Sequence, residues 1–385
     1  MIEVRCVTSQ KEFASLEVEW NELLKRSAAN SLFLTHQWLY SWWQAFSDRA
    51  CLFLLLCYEQ TSNGESLIGI FPGYVKKSGL CPPAHRLRLL GSEVVTSDFL
   101  DVVVEKGREE EVLRELVKEF RISKAFHLVE LTDLREDSPL LQMRRENSES
   151  EYCFHEWPVT KLCPVIPLPA TTEEYFSGLS KSVRKNFQYY RRKLEAQGAI
   201  LEIIQKNDDL PLGIQDFTRL HNARRGQKNQ SGIFSTAAQK LFYNDVFGRL
   251  FDAGWLELAF LNISGERIAG VCQFNYGESS YYYQTGYDIA WEKSSVGFVL
   301  NVLLIERAID QGKSFYEFLR GVEEYKYRLG ATSDRHLSDI YLRNGSLMGD
   351  IFLAKRHLGR SVKEKAKVIL QPFLGNRLTD GKVCP

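Results

Sequence analysis

Apolar side chains fill most of residues 298–309: Phe298, Val299, Leu300, Val302, Leu303, Leu304, Ile305, Ala308 and Ile309. So dense a pattern leaves little wet face and predicts a buried helix. Gly312 stands where a left-handed C-terminal glycine ends such a helix. Residues 178–198 follow a different spacing. Leu179, Val183, Phe187, Tyr190 and Leu194 recur every three to four residues, the stripe of an amphipathic helix. The run CLFLLLCY at 51–58 is too short to span a membrane and reads as a buried strand. REEEVLRELVKEF at 108–120 predicts a helix and AFHLVEL at 125–131 a strand. SFYEFL at 314–319 predicts the strand that follows the apolar helix.

Two of these patterns repeat. NGESLIGI at 63–70 and SGERIAGV at 264–271 align without gaps, Gly64 with Gly265, Glu65 with Glu266 and Gly69 with Gly270. Each predicts a hairpin with a glycine-containing turn. After each hairpin come a helix and a strand, with Phe126 and Phe315 in equivalent places. The chain therefore reads as two copies of one α/β unit: helices, hairpin, strand, helix, strand. The proline-rich WPVTKLCPVIPLP at 157–169 predicts the boundary. The expected domains are 1–160, 161–345 and a basic tail at 346–385.

The copies differ where their equivalent helices begin. Glu109, Glu110 and Glu111 suit the helix dipole and would repel an anion. Ser294, Ser295 and Gly297, with Lys293 beside them, put hydroxyls and open backbone where helix N–H groups lack partners. The second copy thus carries a candidate phosphate site, and the first does not.

Composition narrows the classes. The 385 residues carry 49 acids and 49 bases, so no global charge draws the chain to nucleic acid or membrane. Apolar and charged fractions of 44% and 25% are those of an ordinary globular protein. The eight cysteines are scattered, without a CxxC pair or a histidine at ligand spacing, so neither a metal site nor a disulfide framework is expected. MIEVRCVTSQKEF has no secretory pattern, and a cytoplasmic location is expected. The aromatic clusters at 38–46 and 281–287 read as core or as lining of a domain interface. No G-x-S-x-G, Walker A, G-x-G-x-x-G or H-E-x-x-H is present.

Candidate chemistry follows the last strand of the repeat. Tyr325 and Lys326 stand just beyond SFYEFL, where α/β strands face a ligand crevice. A phenol or ammonium there can stabilise developing charge or move a proton, and Glu323 is a candidate base. Arg184 and Lys185 lie near the start of a basic helix. They read either as part of a solvated face or as contacts to phosphate on an acceptor or tRNA. His221 reads as an acceptor-side base or as a structural histidine bonded to a carbonyl. The tail reads either as a basic amphipathic helix on an anionic membrane, peripheral to the inner membrane, or as one docked on its own domain.

LSKSVRKNFQYYRRKLEAQG, LHNARRGQKNQSGIF, YYYQTGYDIAWEKSSVGFVL and FYEFLRGVEEYKYRLG occur in that order. With FLTHQWLYSWWQAF in the first half, they resemble the GNAT-type acetyltransferases of the cellulose-biosynthesis (CelD/BcsL) group. They resemble Fem-type aminoacyl transferases more distantly. The resemblance implies an α/β fold of tandem GNAT-like domains, each a mixed, mostly antiparallel sheet flanked by helices. It implies an acetyl-CoA or other acyl-CoA donor and no metal. The donor's arm would pair along Tyr283, Gln284, Thr285, Gly286 and Tyr287. Its pyrophosphate would sit on Lys293, Ser294, Ser295, Val296, Gly297 and Phe298. The family's loop is Arg/Gln-x-x-Gly-x-Gly/Ala, and here Phe298 replaces the last small residue. The resemblance makes Tyr325 the general acid and Lys326 its rival.

The activity so implied is direct N- or O-acyl transfer to a sugar, glycan or lipid-linked envelope or exopolysaccharide precursor. A Fem-like transferase using aminoacyl-tRNA is the first alternative. A non-catalytic scaffold in polysaccharide assembly is the second.

Overall fold

The structure is a computed structural model and describes residues 2–62, 64–77, 84–146, 154–227, 232–343 and 346–355. The first half runs β1 (Ile2–Val7), α1 (Gln10–Ser15), α2 (Glu17–Arg26), α3 (His36–Phe46), β2 (Ala50–Thr61) and β3 (Gly64–Lys77). It continues with β4 (His85–Leu89), β5 (Val103–Val104), α4 (Glu109–Ile122), β6 (Leu128–Arg135), α5 (Pro139–Glu146) and β7 (Phe154–Pro167). The second half runs α6 (Thr172–Gly178), α7 (Lys181–Glu195), β8 (Ala199–Ile203), α8 (Leu210–Gln227), α9 (Ala237–Asp252), β9 (Leu256–Ile263) and β10 (Glu266–Tyr276). It ends with β11 (Ser279–Tyr287), α10 (Val296–Asp310), β12 (Phe315–Glu317), α11 (Glu324–Arg328) and β13 (Ser333–Arg343).

One mixed, mostly antiparallel sheet joins both halves in the order β1-β2-β3-β4-β6-β13-β7-β12-β11-β10-β9-β8, with β5 beside β3. The order is nearly palindromic. Each half has its hairpin, β2–β3 and β9–β10, then one parallel pair, β4–β6 and β11–β12. From α4 to α10 (109 to 296) and from β6 to β12 (128 to 315) the offset is the same, 187 residues. Leu128, rather than Phe126, is therefore the counterpart of Phe315, and Glu109, Glu110 and Glu111 are the counterparts of Val296, Gly297 and Phe298.

The proline-rich boundary stretch is not a loose linker. Residues 157–167 belong to β7, which pairs with β12 of the second half and with β13. In turn β13 pairs with β6 of the first half. The halves have exchanged their last strands across the middle of the sheet. Proline composition suggests a linker because the residue lacks an N–H, yet it keeps its carbonyl. The Pro164 carbonyl accepts from the Phe318 N–H at 2.9 Å, and Pro167 stands opposite Phe315.

Helices α6, α7 and α10 cover one face of the second half through Tyr175, Val183, Phe187, Val299 and Ile305. The other face, with α8 and α9, packs against the first half. Trp38 on α3 lies within 5.7 Å of the Phe242, Phe274 and Tyr283 rings, and Ser41 donates to Asp245 at 2.6 Å. Alternation along β11 sends Tyr281 and Tyr283 toward this interface and Tyr282 toward α10. The tail begins by docking on the first half: Phe352 and Leu353 are buried with Leu128 and Tyr341. The rest of it, including Arg360, Lys363, Lys365 and Lys367, lies outside the described residues. No helix among the described residues is long and apolar enough to cross a membrane.

Candidate functional site

The site follows from how β11 and β12 part. They pair only from Ser279 to Tyr281 and from Phe315 to Glu317. Beyond that, β11 continues to Tyr287, while the chain after β12 turns toward β7. Leu319 makes that turn in the left-handed region, at φ 56°, a strained setting for a branched residue.

Two cavities occupy the opening. One, of about 240 Å³, is lined by Thr285, Tyr287, Glu292, Ser295, Val296, Gly297, Phe298, Asn301 and Leu329. The other, of about 440 Å³, is lined by Tyr283, Gln284, Phe318, Leu319, Arg320, Glu323, Lys326 and Arg225, with Thr96 from the first half. Arg224, Tyr282, Thr285 and Tyr325 line both. The two spaces therefore meet at these four residues.

The first cavity opens onto the start of α10. Ser295 caps that helix with φ 53° and makes no side-chain cap bond. The first intrahelical acceptor, the Ser295 carbonyl, is used by Val299 at 3.1 Å. The amides of Val296, Gly297 and Phe298 precede it and have no acceptor within the helix. Phe298 is no obstruction, because its ring turns onto Phe187, 6.3 Å away edge to face. Lys293 and Ser294 lie in the preceding 3-10 turn and do not line the cavity. Gly286 lines neither cavity, because α8 crosses it: a Cβ there would lie 2.3 Å from the His221 nitrogen.

Asn301 sits one turn further along α10 and is 5% exposed. Its Oδ1 is buried and has no hydrogen-bond partner. Leaving such an acceptor unpaired costs about 1–3 kcal/mol.

The same region of the first half is closed. Arg88, 2% exposed, fills the space beside β4 and β6 with ion pairs to Glu130 and Glu93. At the start of α4, Arg108 is held by Glu59 at 2.7 Å and by Glu111, and the Glu109 carboxylate accepts from the Gly107 N–H at 2.8 Å. Carboxylates occupy the position that open amides hold in α10.

Among the candidate catalytic groups, Tyr325 is half-buried against Phe318 at 6.3 Å. Burial, then the neighbouring Tyr282 and Glu323, push its phenol far above the usual value, so it stays protonated. The Lys326 ammonium spends its three donors otherwise. It binds the carbonyls of Leu319, Arg320 and Gly321 at 3.3, 3.1 and 2.9 Å and pairs with Glu323 at 2.9 Å. It is an anchor for the strained turn, with no proton left for a ligand. Burial would raise the Glu323 carboxyl, but the bond to Lys326 and the charges of Lys326 and Arg224 outweigh it and hold the group low. Glu323 therefore stays ionised and is a weak base.

The acceptor-side candidates lie elsewhere. Arg184 donates to the Phe176 and Ser177 carbonyls at the end of α6, and Lys185 is exposed on α7; neither lines either cavity. His221 is 1% exposed, with Nδ1 donating to the Thr285 carbonyl at 3.1 Å and Nε2 accepting from Ile233 N–H at 3.4 Å. Nδ1 ties α8 to β11 and Nε2 ties α8 to the segment before α9, the structural alternative expected for it. Burial, with Arg225 and Arg224 nearby, pushes it down to about 4. Neutral in the fold and near 6.5 when unfolded, it binds its proton first in the unfolded chain. Stability is therefore expected to fall between pH 6.5 and 4, by roughly 3 kcal/mol from this group. His36, also pushed down by burial, adds in the same direction. Urea melts at pH 7 and 4.5 check it: His221→Leu flattens part of the slope, and a slope equal to wild type would contradict the assignment.

Residues that the linear pattern did not single out are Arg224, Tyr282, Asn301, Thr96 and Arg320. Asn301 did leave a signal, as a lone amide inside an apolar helix. Arg224 lies with its guanidinium over Tyr287, 5.6 Å from the ring centre, and among the described residues no carboxylate pairs with it. Arg320 is clasped by Asp98 and Asp133, and its own N–H donates to Asp98 at 2.9 Å. The loop carrying Asp98 lies between β4 and α4, the counterpart of the segment between β11 and α10 in the second half.

Comparison with known proteins agrees with this geometry. Residues 181–327 match the family described as Acetyltransferase (GNAT) domain, so the second half carries an acyltransferase domain. No curated protein matches the chain in sequence. In fold, the chain is similar to FemX, at TM-score 0.61 and 11% identity, covering 89% of this chain and 98% of that one. It is similar to L-PGS from Bacillus licheniformis, at 0.54 and 14%, covering 88% and 96%. It is also similar to the C-terminal domain of a putative lysylphosphatidylglycerol synthetase from Agrobacterium fabrum, at 0.53 and 10%, covering 90% and 95%.

Proposed function

We propose that the chain transfers an acyl group, acetyl in the simplest case, from acyl-CoA to an amine or hydroxyl of a sugar, glycan or lipid-linked envelope precursor. The observation that carries this reading is the meeting of two cavities at Arg224, Tyr282, Thr285 and Tyr325, one of them opening on the free amides of α10. Those amides, at the positive end of a fifteen-residue helix, suit a diphosphate. The narrower cavity suits the donor's arm, and the wider, more polar one the acceptor. When bound, the donor supplies an activated thioester. The chain's part is to hold the reactants together and to meet the charge that develops. Arg224, which has no ion-pair partner within contact distance among the described residues and lies over Tyr287, faces charge on the carbonyl oxygen. Tyr325 keeps its proton and presents it to the departing sulfur. The proton that the acceptor loses as the new bond forms restores the Tyr325 phenol, so that overall one proton passes from acceptor to thiol. Among the described residues, burial raises the thiols of the buried Cys57, Cys163 and Cys272, which does not suit them to form an acyl-enzyme.

A thermal-shift titration tests the donor. CoA at a hundredfold excess over its Kd is expected to stabilise the protein by about 2.7 kcal/mol. Unchanged melting with millimolar CoA and acetyl-CoA would remove the reading. The likeness to FemX favours one second reading, a Fem-like transferase using aminoacyl-tRNA. Binding of tRNA that weakens steeply with salt, without any effect of CoA, would support that instead.

A further inference from the structure

Helix α7 carries six basic residues and one acidic residue among its fifteen, in a chain whose 49 acids and 49 bases balance. Neither of the two cavities uses any of them. At about 100° per residue, Lys181, Lys185, Tyr189, Arg192 and Lys193 fall within an arc of about 120°, along about 18 Å of the axis. All five are exposed, Tyr189 at 63%. Val183, Phe187 and Leu194 are buried on the opposite side. On α2, α4 and α8, exposed basic side chains pair with a carboxylate one turn away: Lys25 with Glu22 at 2.8 Å, Arg114 with Glu110 at 2.6 Å and Arg219 with Asp216 at 3.3 Å. Among the described residues, the α7 cation so paired is Arg191, with Glu195 at 2.8 Å and Glu306 at 3.7 Å; Lys181, Lys185, Arg192 and Lys193 have no carboxylate. Lys181 and Lys185, four residues apart, repel each other. Basic groups in the first turn also oppose the helix dipole, which α4 satisfies with three glutamates. The free protein thus holds this face against two unfavourable effects, and charge complementarity calls for an anionic partner.

We infer that this face of α7 docks on an anionic lipid bilayer. Three of its four unpaired cations are lysines, point charges that suit a diffuse anionic surface, whereas reading individual phosphates favours the fork of arginine. Tyr189 is of the residue type that sits at headgroup level. A groove of about 310 Å³ beside the face gives a headgroup room: Gln188 and Arg192, neither hydrogen-bonded through its side chain among the described residues, line it with Phe176 and the paired Arg191 and Glu195. The apolar stripe stays in the core, so the helix lies on the bilayer without inserting. The contact is electrostatic and reversible, and it weakens as salt shortens the Debye length. It stands whether or not the donor is CoA.

Co-sedimentation of the full-length protein with vesicles tests this. Wild type is expected to bind phosphatidylcholine vesicles carrying about 30% phosphatidylglycerol, to leave them at high salt and to ignore pure phosphatidylcholine. Lys181→Gln, Lys185→Gln, Arg192→Gln and Lys193→Gln together are expected to weaken binding about 10²-fold or more. All four positions are exposed, so the variant is expected to melt no lower than wild type. It is also expected to keep the stabilisation by CoA, which reports on the donor site separately. Lys181→Gln with Lys185→Gln gives a smaller loss of the same kind if the fourfold variant does not fold. Glutamine in place of Arg360, Lys363, Lys365 and Lys367 in the tail is expected to leave most of the binding. Full binding by the α7 variant, or a loss confined to the tail variant, would overturn the inference. Wild-type protein that ignores anionic vesicles would overturn it too, as would salt-sensitive binding of tRNA in place of vesicles.

Discussion

Tyr325→Phe is expected to lower kcat by about 10²-fold or more while leaving affinity for CoA within about twofold of wild type. The magnitude is that of removing one positioned proton donor from an active site. Tyr325 lines both cavities, whereas the groups that would grip the donor lie along α10 and β11. The ring contact with Phe318 survives the change, so the variant folds and keeps its shape. A lost hydroxyl that acts mainly on the charge of the reaction lowers kcat and kcat/KM together. Wild-type kcat in this variant would contradict the role. Lys326 behaves differently. Its amine is consumed by three carbonyls and Glu323, so losses in Lys326→Met are expected to track unfolding of the turn at Leu319 rather than proton transfer.

The second large effect is expected from Asp98→Ala, far from the second half in sequence. Asp98 has no exposed side-chain surface, and its carboxylate clasps both the guanidinium and the backbone N–H of Arg320, 222 residues away. The Ser97 carbonyl accepts from the same guanidinium at 3.2 Å, and the Ser97 hydroxyl accepts from Trp38 Nε1 at 2.9 Å. Removing the carboxylate leaves a largely buried cation with Asp133 alone, at 3.5 Å. Breaking a buried pair by deleting one partner costs about 3–5 kcal/mol. The lower end is expected here, because Arg320 keeps Asp133 and is 30% exposed in its side chain. Urea unfolding measures it, and KM for the acceptor is expected to rise as the wall bearing Thr96 and Arg320 loosens. An unfolding midpoint equal to wild type would show that the clasp does not hold the two halves in register.

The clasp explains why a half without an anion site belongs to the enzyme. In the first half, the loop between β4 and α4 no longer faces an open helix start, because Arg88 and the carboxylates around α4 fill that region. The loop instead reaches into the second half and supplies Thr96 to the wider cavity. The exchange of β7 and β13 across the centre of the sheet fixes the two halves against each other. A cavity walled by both halves is held in shape by that pairing, since Thr96 of the first half and Arg320 of the second line the same space.

Local patterns carried much of the fold. The β2–β3 and β9–β10 hairpins followed from gapless identities around two glycine turns, because turn chemistry and alternation act within a few residues. The apolar run of α10 and its open start followed from side chains that sit beside the groups they affect. The class of fold, two α/β units on a mixed and mostly antiparallel sheet, followed from the order of such signals.

What adjacency does not encode was decided by the tertiary structure. Proline content at 157–169 cannot tell a linker from a central strand, because the partners of β7, from Phe315 opposite Pro167 to Leu342 opposite Phe154, lie far along the chain. The stripe that marks α7 says nothing of where Arg184 and Lys185 point, and they fall outside both cavities. Lys326 could not be told from a free ammonium until the turn at Leu319 folded its carbonyls around it. The sequence alone pointed to the helix start that lacks a side-chain cap. Only packing determined that Asn301 lies beneath it, that Arg224 and Tyr325 meet beside it, and that a loop from the other half closes the site. Helix and hairpin signals are short-range, whereas burial and charge pairing depend on which distant surfaces are brought together.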